Sequence, residues 1–175
     1  MSLLGSMAEW REEARALGRF AMALAPDVRL GRDTAAANLL VDSLVNRAIL
    51  AAQNGDGPSG LSRRSRLLAL FIRLHRRHVR TQCLDDEGGE GGASRGGALV
   101  ERAISAMPLE QREALLLVVL ERLSHAEAAA VLEIPFAALI ERLTRARAAV
   151  SRAAATPLHA PTQRRGGAPH LRLIK

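Results

Sequence analysis

The stretch SHAEAAAVLEIPFAALIERLTRARAAV (residues 124–150) contains two short helical patterns separated by a tight turn. Ser124 and Glu127 have the spacing of a capping box, in which a serine and a glutamate bond to each other's backbone amides at a helix start. Pro135 is typical of the first turn of a second helix. Because so little chain separates Leu132 from Pro135, the stretch predicts a helix-turn-helix with helices at 124–132 and 135–154.

The second helix of this pair has an apolar side and a basic side. At 100° per residue, its apolar residues share one side and are expected to pack inward: Phe136, Leu139, Leu143, Ala146 and Val150. The same geometry places Arg142, Arg145 and Arg152 on the opposite side. Guanidinium groups bind phosphate and guanine oxygens, and small residues near the helix start let the backbone approach base edges. The spacing alone fits an ordinary solvated arginine face equally well. Together with the tight turn and the capping box, it favours DNA binding, through Ala138, Glu141, Arg142 and Arg145.

The remaining sequence predicts an all-α chain of two small helical domains. Further helices are expected at residues 9–24, 33–53, 61–83, 98–107 and 110–123, ending at breakers such as Ala25-Pro26. Ser62 is a candidate cap for the helix at 61–83. The glycine-rich acidic stretch 85–97 predicts a flexible linker between a three-helix domain (1–84) and a helix-turn-helix domain (98–154). Residues 155–175 are expected to form a basic tail. A flexible linker allows the two halves either to separate or to pack together.

Composition agrees with a helical chain that meets an anionic partner. Aromatic residues make up 2% of the 175 residues, and strands favour residues that this chain mostly lacks. Arginine supplies all but one of the 25 basic residues, and the formal net charge is +7. A lone Cys83 excludes an intramolecular disulfide, and the single Lys175 excludes a Walker phosphate loop. We expect a cytoplasmic protein with no membrane insertion, no cofactor, no metal and no catalytic site.

The most basic predicted helix follows Leu61. Up to Gln82 it contains no acid and seven arginines: Arg63, Arg64, Arg66, Arg73, Arg76, Arg77 and Arg80. Such one-sided charge favours a nucleic-acid surface over solubility alone. His75 and His78 lie one turn apart, and without a third ligand they are expected on the polar face rather than in a metal site.

Residues 98–152 resemble region 4 of the extracytoplasmic-function (ECF) sigma factors. The resemblance rests on Pro108, Gln111-Arg112-Glu113, Ser124, Glu127-Ala128-Ala129, Ile134-Pro135, Arg142-Leu143 and Arg145-Ala146-Arg147. The N-terminal half is similar to region 2 through Arg19-Phe20-Ala21, Asp42-Ser43-Leu44, Leu67-Leu68 and Leu70-Phe71. The resemblance implies two DNA-binding regions that recruit RNA polymerase core and read the minus-ten and minus-thirty-five promoter elements.

The resemblance also implies roles for particular residues. The last helix would enter the major groove at the minus-thirty-five element. The third helix and the loop before it, residues 52–62, would address the minus-ten region, with Arg63, Arg64, Arg66 and Arg73 along the DNA. On the second helix, the surface for polymerase core or an anti-sigma factor would comprise Leu39, Asp42 and Leu44.

Three departures from the family pattern support a second hypothesis. Region 2 has few aromatic side chains on which melted bases could stack. The acid Glu141 lies in the recognition helix, and Glu133 occupies a position where a turn glycine is usual. The leading hypothesis is an ECF-type sigma factor with features of the general-stress branch. The alternative is a sigma-like mimic, as in alphaproteobacterial general-stress regulators, which captures an anti-sigma factor without binding DNA.

Overall fold

The computed structural model describes residues 3–24, 34–85 and 99–155, and every regular element within these ranges is an α-helix. The helices are α1 (Leu3–Leu24), α2 (Thr34–Gln53), α3 (Arg63–Asp85), α4 (Leu99–Ser105), α5 (Leu109–Val119), α6 (His125–Leu132) and α7 (Phe136–Ala155). This confirms the all-α prediction. Residues 86–97 of the predicted linker and 156–175 of the predicted tail lie outside the described residues.

Two helix ends differ from the prediction by more than two residues. Helix α1 begins at Leu3 instead of Glu9, because no proline interrupts the sequence between them. Helix α5 ends at Val119 instead of Leu123. The chain leaves the helix there because Arg122 has a left-handed backbone with φ of 55°, and the Leu123 amide donates back to the Leu117 carbonyl at 3.1 Å.

The predicted helix starts are confirmed by hydrogen bonds. The Ser62 hydroxyl accepts from the Ser65 amide at 3.1 Å and caps α3. At the start of α6, the Ser124 hydroxyl accepts from the Glu127 amide at 3.2 Å, and the Glu127 carboxylate accepts from the Ser124 amide at 3.0 Å. Hydrogen bonds from the Ser124 side chain and backbone lower the pKa of Glu127.

One hydrophobic core runs through both halves of the chain. In the N-terminal half it contains Phe20 and Phe71, whose rings meet edge to face. In the C-terminal half it contains Leu117, Leu139 and Leu143. The two sets form one continuous cluster because α1 packs on α5 and α3 packs on α6. The halves are therefore packed together in this structure.

A buried arginine connects the two halves through backbone oxygens. The Arg112 guanidinium donates to the Leu24 carbonyl at 2.9 Å, at the end of α1. It also donates to the carbonyls of Ser105 and Met107, in the turn between α4 and α5. Carbonyls at a helix end have no partner within the helix, so Arg112 satisfies an acceptor that would otherwise need water.

His75 lies in the interior, and its expected place on the polar face is wrong. Its side chain is only 7% exposed and stacks on Phe71 with ring centroids 6.0 Å apart. Burial lowers the pKa of His75 to about 4, with further lowering by His78, Arg112 and Arg76. Arg112 belongs to the C-terminal half, whose packing covers the face of α3 that a separate three-helix domain would expose.

We expect His75 to make the folded state sensitive to mild acid. The unfolded chain takes up a proton near pH 6.5, whereas the folded chain resists protonation until about pH 4. The neutral His75 side chain therefore contributes about 3 kcal/mol to the free energy of unfolding above pH 6.5, and this contribution is lost as the pH falls from 6.5 to 4. The variant His75→Phe keeps the ring stack and removes the titration, so its loss of stability over this range is smaller.

Urea unfolding at several pH values measures the difference between wild type and His75→Phe. The matched control is His125→Gln, at the start of α6, which should retain the wild-type loss of stability. Equal pH dependence in His75→Phe and wild type would contradict the expectation.

Candidate nucleic-acid interface

Helices α6 and α7 form the predicted helix-turn-helix. Leu139, Leu143 and Ala146 anchor α7 in the core. The opposite side of α7 presents Glu141 and Arg145, both well exposed and ion-paired with each other one turn apart. Ala138 is half-buried on the same side, one turn closer to the helix start. The outer side of α7 thus offers a cation, an anion and a small residue to a partner.

Two side chains of α7 lie in places other than those expected. Arg142 is at the edge of the buried stripe, where its guanidinium pairs with Glu110 of α5 at 2.8 Å. Phe136 is 55% exposed instead of buried. It lies in the first turn, beyond the end of the buried stripe, and its ring meets that of His125 edge-on.

The turn between α6 and α7 is built on a strained residue. Glu133 has φ of 57° and ψ of 44°, the left-handed conformation that favours glycine. Its amide donates to the Ala129 and Ala130 carbonyls and closes α6. The Glu133 carboxylate pairs with Arg73 of α3. The usual glycine would fit this backbone without strain and would make no such ion pair.

Three arginines of α3 pair with acids of the C-terminal half. The Arg64 guanidinium donates to Glu121 at 2.5 and 3.1 Å, and Arg73 donates to Glu133. Arg76 donates to both carboxylate oxygens of Glu113, at 3.0 and 2.5 Å. Two of these three arginines, Arg64 and Arg73, are among those predicted to contact DNA. We name these three pairs, Arg64–Glu121, Arg73–Glu133 and Arg76–Glu113, the clasp.

The Arg76–Glu113 pair lies deepest, because the Glu113 side chain is completely buried. Burial raises the pKa of Glu113, while the hydrogen bonds from Arg76 oppose that rise. The hydrogen bond to Glu113 in turn raises the pKa of Arg76. A carboxylate with both oxygens bonded to a guanidinium matches the geometry of an ionised pair.

Two further predicted DNA-binding arginines lie near the start of α3. Arg63 pairs with Glu13 of α1 at 2.8 Å, within the N-terminal half. Arg66 packs under the loop between α2 and α3, against Gly57, and its Nε atom is buried without a hydrogen-bond partner. The structure therefore engages all four predicted arginines of α3 in contacts within the chain.

The predicted partner surface on α2 is divided between solvent and core. Leu39 is 70% exposed, and Asp42 is also exposed three residues further along. Residues three apart share a helix face, so these two form one surface. Leu44 is 3% exposed and belongs to the core, so its side chain packs inside the protein and is not accessible to a partner.

The glutamates that pair with α3 are missing from the sequence-based prediction. Glu113 is quoted there only as part of a family motif, and Glu133 only as a replacement for glycine. Their partners are 37 and 60 residues away in sequence. One sequence signal could have pointed to these glutamates: a basic helix without acids of its own needs acids from other helices when it is buried.

Two searches of the described residues bear on other kinds of site. None of the helices there has the length and apolar character needed to cross a membrane. In the same ranges, no three side chains of histidine, cysteine, aspartate or glutamate are grouped so that they could hold a metal ion.

Comparison with a family model relates the helix-turn-helix to known proteins. The model of sigma-70 region 4 matches residues 98–150, which contain α5, α6 and most of α7. Residues 98–150 are therefore similar in sequence to sigma-70 region 4. Its helix-turn-helix is the element that the sequence assigns to promoter binding.

A solved structure extends the likeness beyond region 4. The sigma factor RpoE of Bartonella quintana, in complex with the anti-sigma factor NepR, has a similar fold with a TM-score of 0.65 and 21% identity. The match covers 86% of this chain and 96% of that chain, so it includes the helices before region 4. A comparison with curated proteins yields no match. The family model thus relates residues 98–150 to sigma-70 region 4, and the solved structure shows that the fold of a sigma factor extends over most of the chain.

We expect Gly57 to be essential for the loop between α2 and α3. Its φ is 104°, and an added Cβ atom would lie 2.8 Å from the Cγ atom of Arg66. Gly57→Ala should therefore strain the backbone and displace Arg66, lowering the free energy of unfolding by about 2 kcal/mol.

Gly18→Ala is the matched control in the interior of α1, where an added Cβ atom meets nothing within 4 Å. It should raise the stability by about 0.5 to 1 kcal/mol, since alanine favours helix more than glycine does. Urea unfolding measures both variants. A Gly57→Ala protein as stable as wild type would show that the loop tolerates a side chain there.

Proposed function

We propose that this chain is an ECF-type sigma factor that recruits RNA polymerase core to promoters, acting in the cytoplasm by binding and not by catalysis. The observation that carries the proposal is the sigma-70 region 4 at residues 98–150, folded as a helix-turn-helix with an exposed polar side on α7. Second helices of such motifs lie in the major groove of DNA, with residues near their N-termini on the base edges.

For the minus-thirty-five element, we assign base reading to the outer side of α7. Arg145 is exposed and can bond to guanine oxygen and nitrogen atoms, and Ala138 allows close approach of the helix start. Glu141 can accept from the amino group of cytosine. Arg142, at the edge of the buried stripe, is better placed for phosphate than for a base.

For the minus-ten element, we assign the loop between α2 and α3 together with the arginines of α3. The predicted contacts are those of Arg63, Arg64, Arg66 and Arg73. Their positive charge would follow the phosphate backbone, which supplies affinity without sequence information.

For the protein partners, we assign Leu39 and Asp42 to polymerase core. An exposed leucine beside an acid offers an apolar contact with a charged border, which is common at protein interfaces. The fold shared with RpoE of Bartonella quintana, whose solved complex contains the anti-sigma factor NepR, supports a small anti-sigma protein as a further partner.

The recognition-helix assignment predicts a loss of DNA binding in the double variant Arg142→Ala/Arg145→Ala. Removing two phosphate- or base-binding cations should weaken binding to promoter fragments at least tenfold and lower the slope of log affinity against log salt by about two. Gel shifts over a range of salt measure both quantities.

The control for the α7 variant is Arg15→Ala/Arg47→Ala, which removes two exposed arginines of α1 and α2. It should shift promoter fragments much as wild type does. An α7 double variant with wild-type affinity and salt slope would contradict the assignment.

The sigma-mimic alternative is supported by the clasp, because the chain's own acids compete with DNA for these arginines. The two functions differ in whether RNA polymerase core binds. We expect a pull-down from the source bacterium with the full chain to retain core subunits, with or without a small anti-sigma protein. Retention of the small protein alone would favour the mimic.

The surface on α2 supplies a variant for the same pull-down. Leu39→Asp should reduce the retained core subunits at least fivefold without unfolding the protein, because the side chain is exposed. Leu50→Asp is the matched control, since Leu50 is also exposed on α2 but eleven residues further along. Equal loss in both variants would remove Leu39 from the assigned surface.

A further inference from the structure

The clasp uses cations from one half of the chain and anions from the other. Arg64, Arg73 and Arg76 belong to α3, whereas their partners follow residue 98. We propose that the clasp is an autoinhibitory contact, in which Glu113, Glu121 and Glu133 occupy positions that nucleic-acid phosphates take when the chain opens. The inference rests on the proposed function and adds a competition between closure and DNA binding.

The arrangement of the three pairs matches a closure over one side of α3. Nine residues separate Arg64 from Arg73, which places them about half a turn apart around the helix. Arg76 falls between them in angle, and its partner Glu113 is the buried one. The small buried residues Ser65 and Ala69 lie on this same side of α3. The outer pairs thus border a face that the C-terminal half covers.

Carboxylate and phosphate are alternative ligands for the same guanidinium groups. Arginine binds both in a forked geometry with charge-assisted hydrogen bonds. The Arg64 and Arg73 side chains remain about half exposed, so a competing anion can reach them without prior opening. The central Arg76–Glu113 pair is shielded from solvent and would be released last. DNA phosphates would therefore replace Glu121 and Glu133 at the two outer pairs first and Glu113 at the central pair last.

The backbone at Glu133 provides an independent argument. A glutamate is unfavourable in a left-handed conformation, and this turn has no need of a side chain. The Glu133 carboxylate contributes its ion pair with Arg73 when the halves are closed. A residue that strains the turn and stabilises the closed arrangement fits a role in closure.

A charge-exchange cycle on the outer pair tests the proposal in the full chain. Donor and acceptor dyes are placed through Gln53→Cys and Ser151→Cys, at exposed positions of α2 and α7, in a Cys83→Ser background. Energy transfer is measured for wild-type side chains, Arg73→Glu, Glu133→Arg and the combined exchange. The titrant is a 30-base-pair DNA duplex, and the control Glu12→Arg has the same charge change on α1.

We expect duplex DNA to change the energy transfer of the wild-type protein as the halves separate. The Glu133→Arg protein should open at a duplex concentration about tenfold lower than wild type requires. The Glu12→Arg control should open at a concentration at most about threefold lower than wild type, since its substitution adds attraction to DNA but leaves the clasp intact. Without DNA, each single exchange should shift the transfer towards the open value. The combined exchange should restore the closed value, because the pair is re-formed with its charges reversed.

The outcomes separate this inference from the proposed function. If Glu133→Arg and Glu12→Arg behave alike, or if the combined exchange stays open, the clasp does not hold the chain closed. If duplex binds and the energy transfer stays constant, the competition is overturned while DNA binding stands. If the single exchanges open the chain and the combined exchange closes it, but no duplex binds even at low salt, the proposed promoter function is contradicted and closure by the clasp is supported.

Discussion

The ion pair between Arg76 and Glu113 constrains the rest of the structure. A completely buried carboxylate is tolerable only when a cation is held against it, and removing one partner of such a pair costs about 3 to 5 kcal/mol. The pair therefore links α5 to α3 across the two halves of the chain. With that contact in place, Arg112 reaches the end of α1, α6 covers α3, and the two halves share one core.

The consequence for charge is that several arginines of this chain are paired with its own glutamates. A formal net charge of +7 suggests a strongly cationic outer surface. In the structure, the most basic helix faces glutamates, and Arg145 is paired with Glu141. The electrostatic field outside the chain thus depends on how its charges are paired as well as on the net charge.

Local features could be predicted well from the sequence. The capping box at Ser124, the cap at Ser62 and the buried stripe of α7 follow from short-range spacing, and the structure contains all three. Such features depend on residues within one or two turns of each other. The resemblance to ECF sigma factors rests on the same kind of short motif, which explains why region 4 could be recognised.

Features that depend on contacts between helices could not be predicted from the sequence. His75 is expected on the polar face of α3, but it is buried and stacks on Phe71, whose ring packs on Phe20 of α1. Arg142 and Phe136 are near the edges of the stripe on α7, where a helical wheel does not decide between core and surface. The partners of Arg64 and Arg73 are distant in sequence, and no spacing rule connects them.

The conformation of Glu133 has a consequence for how this protein can evolve. Both glutamate codons become glycine codons through one base change, so Glu133→Gly is a single mutational step away. That step relieves backbone strain and removes an outer contact of the clasp at once. The same mutation would therefore make the turn easier to form and loosen the contact between the two halves, so the two properties can change together.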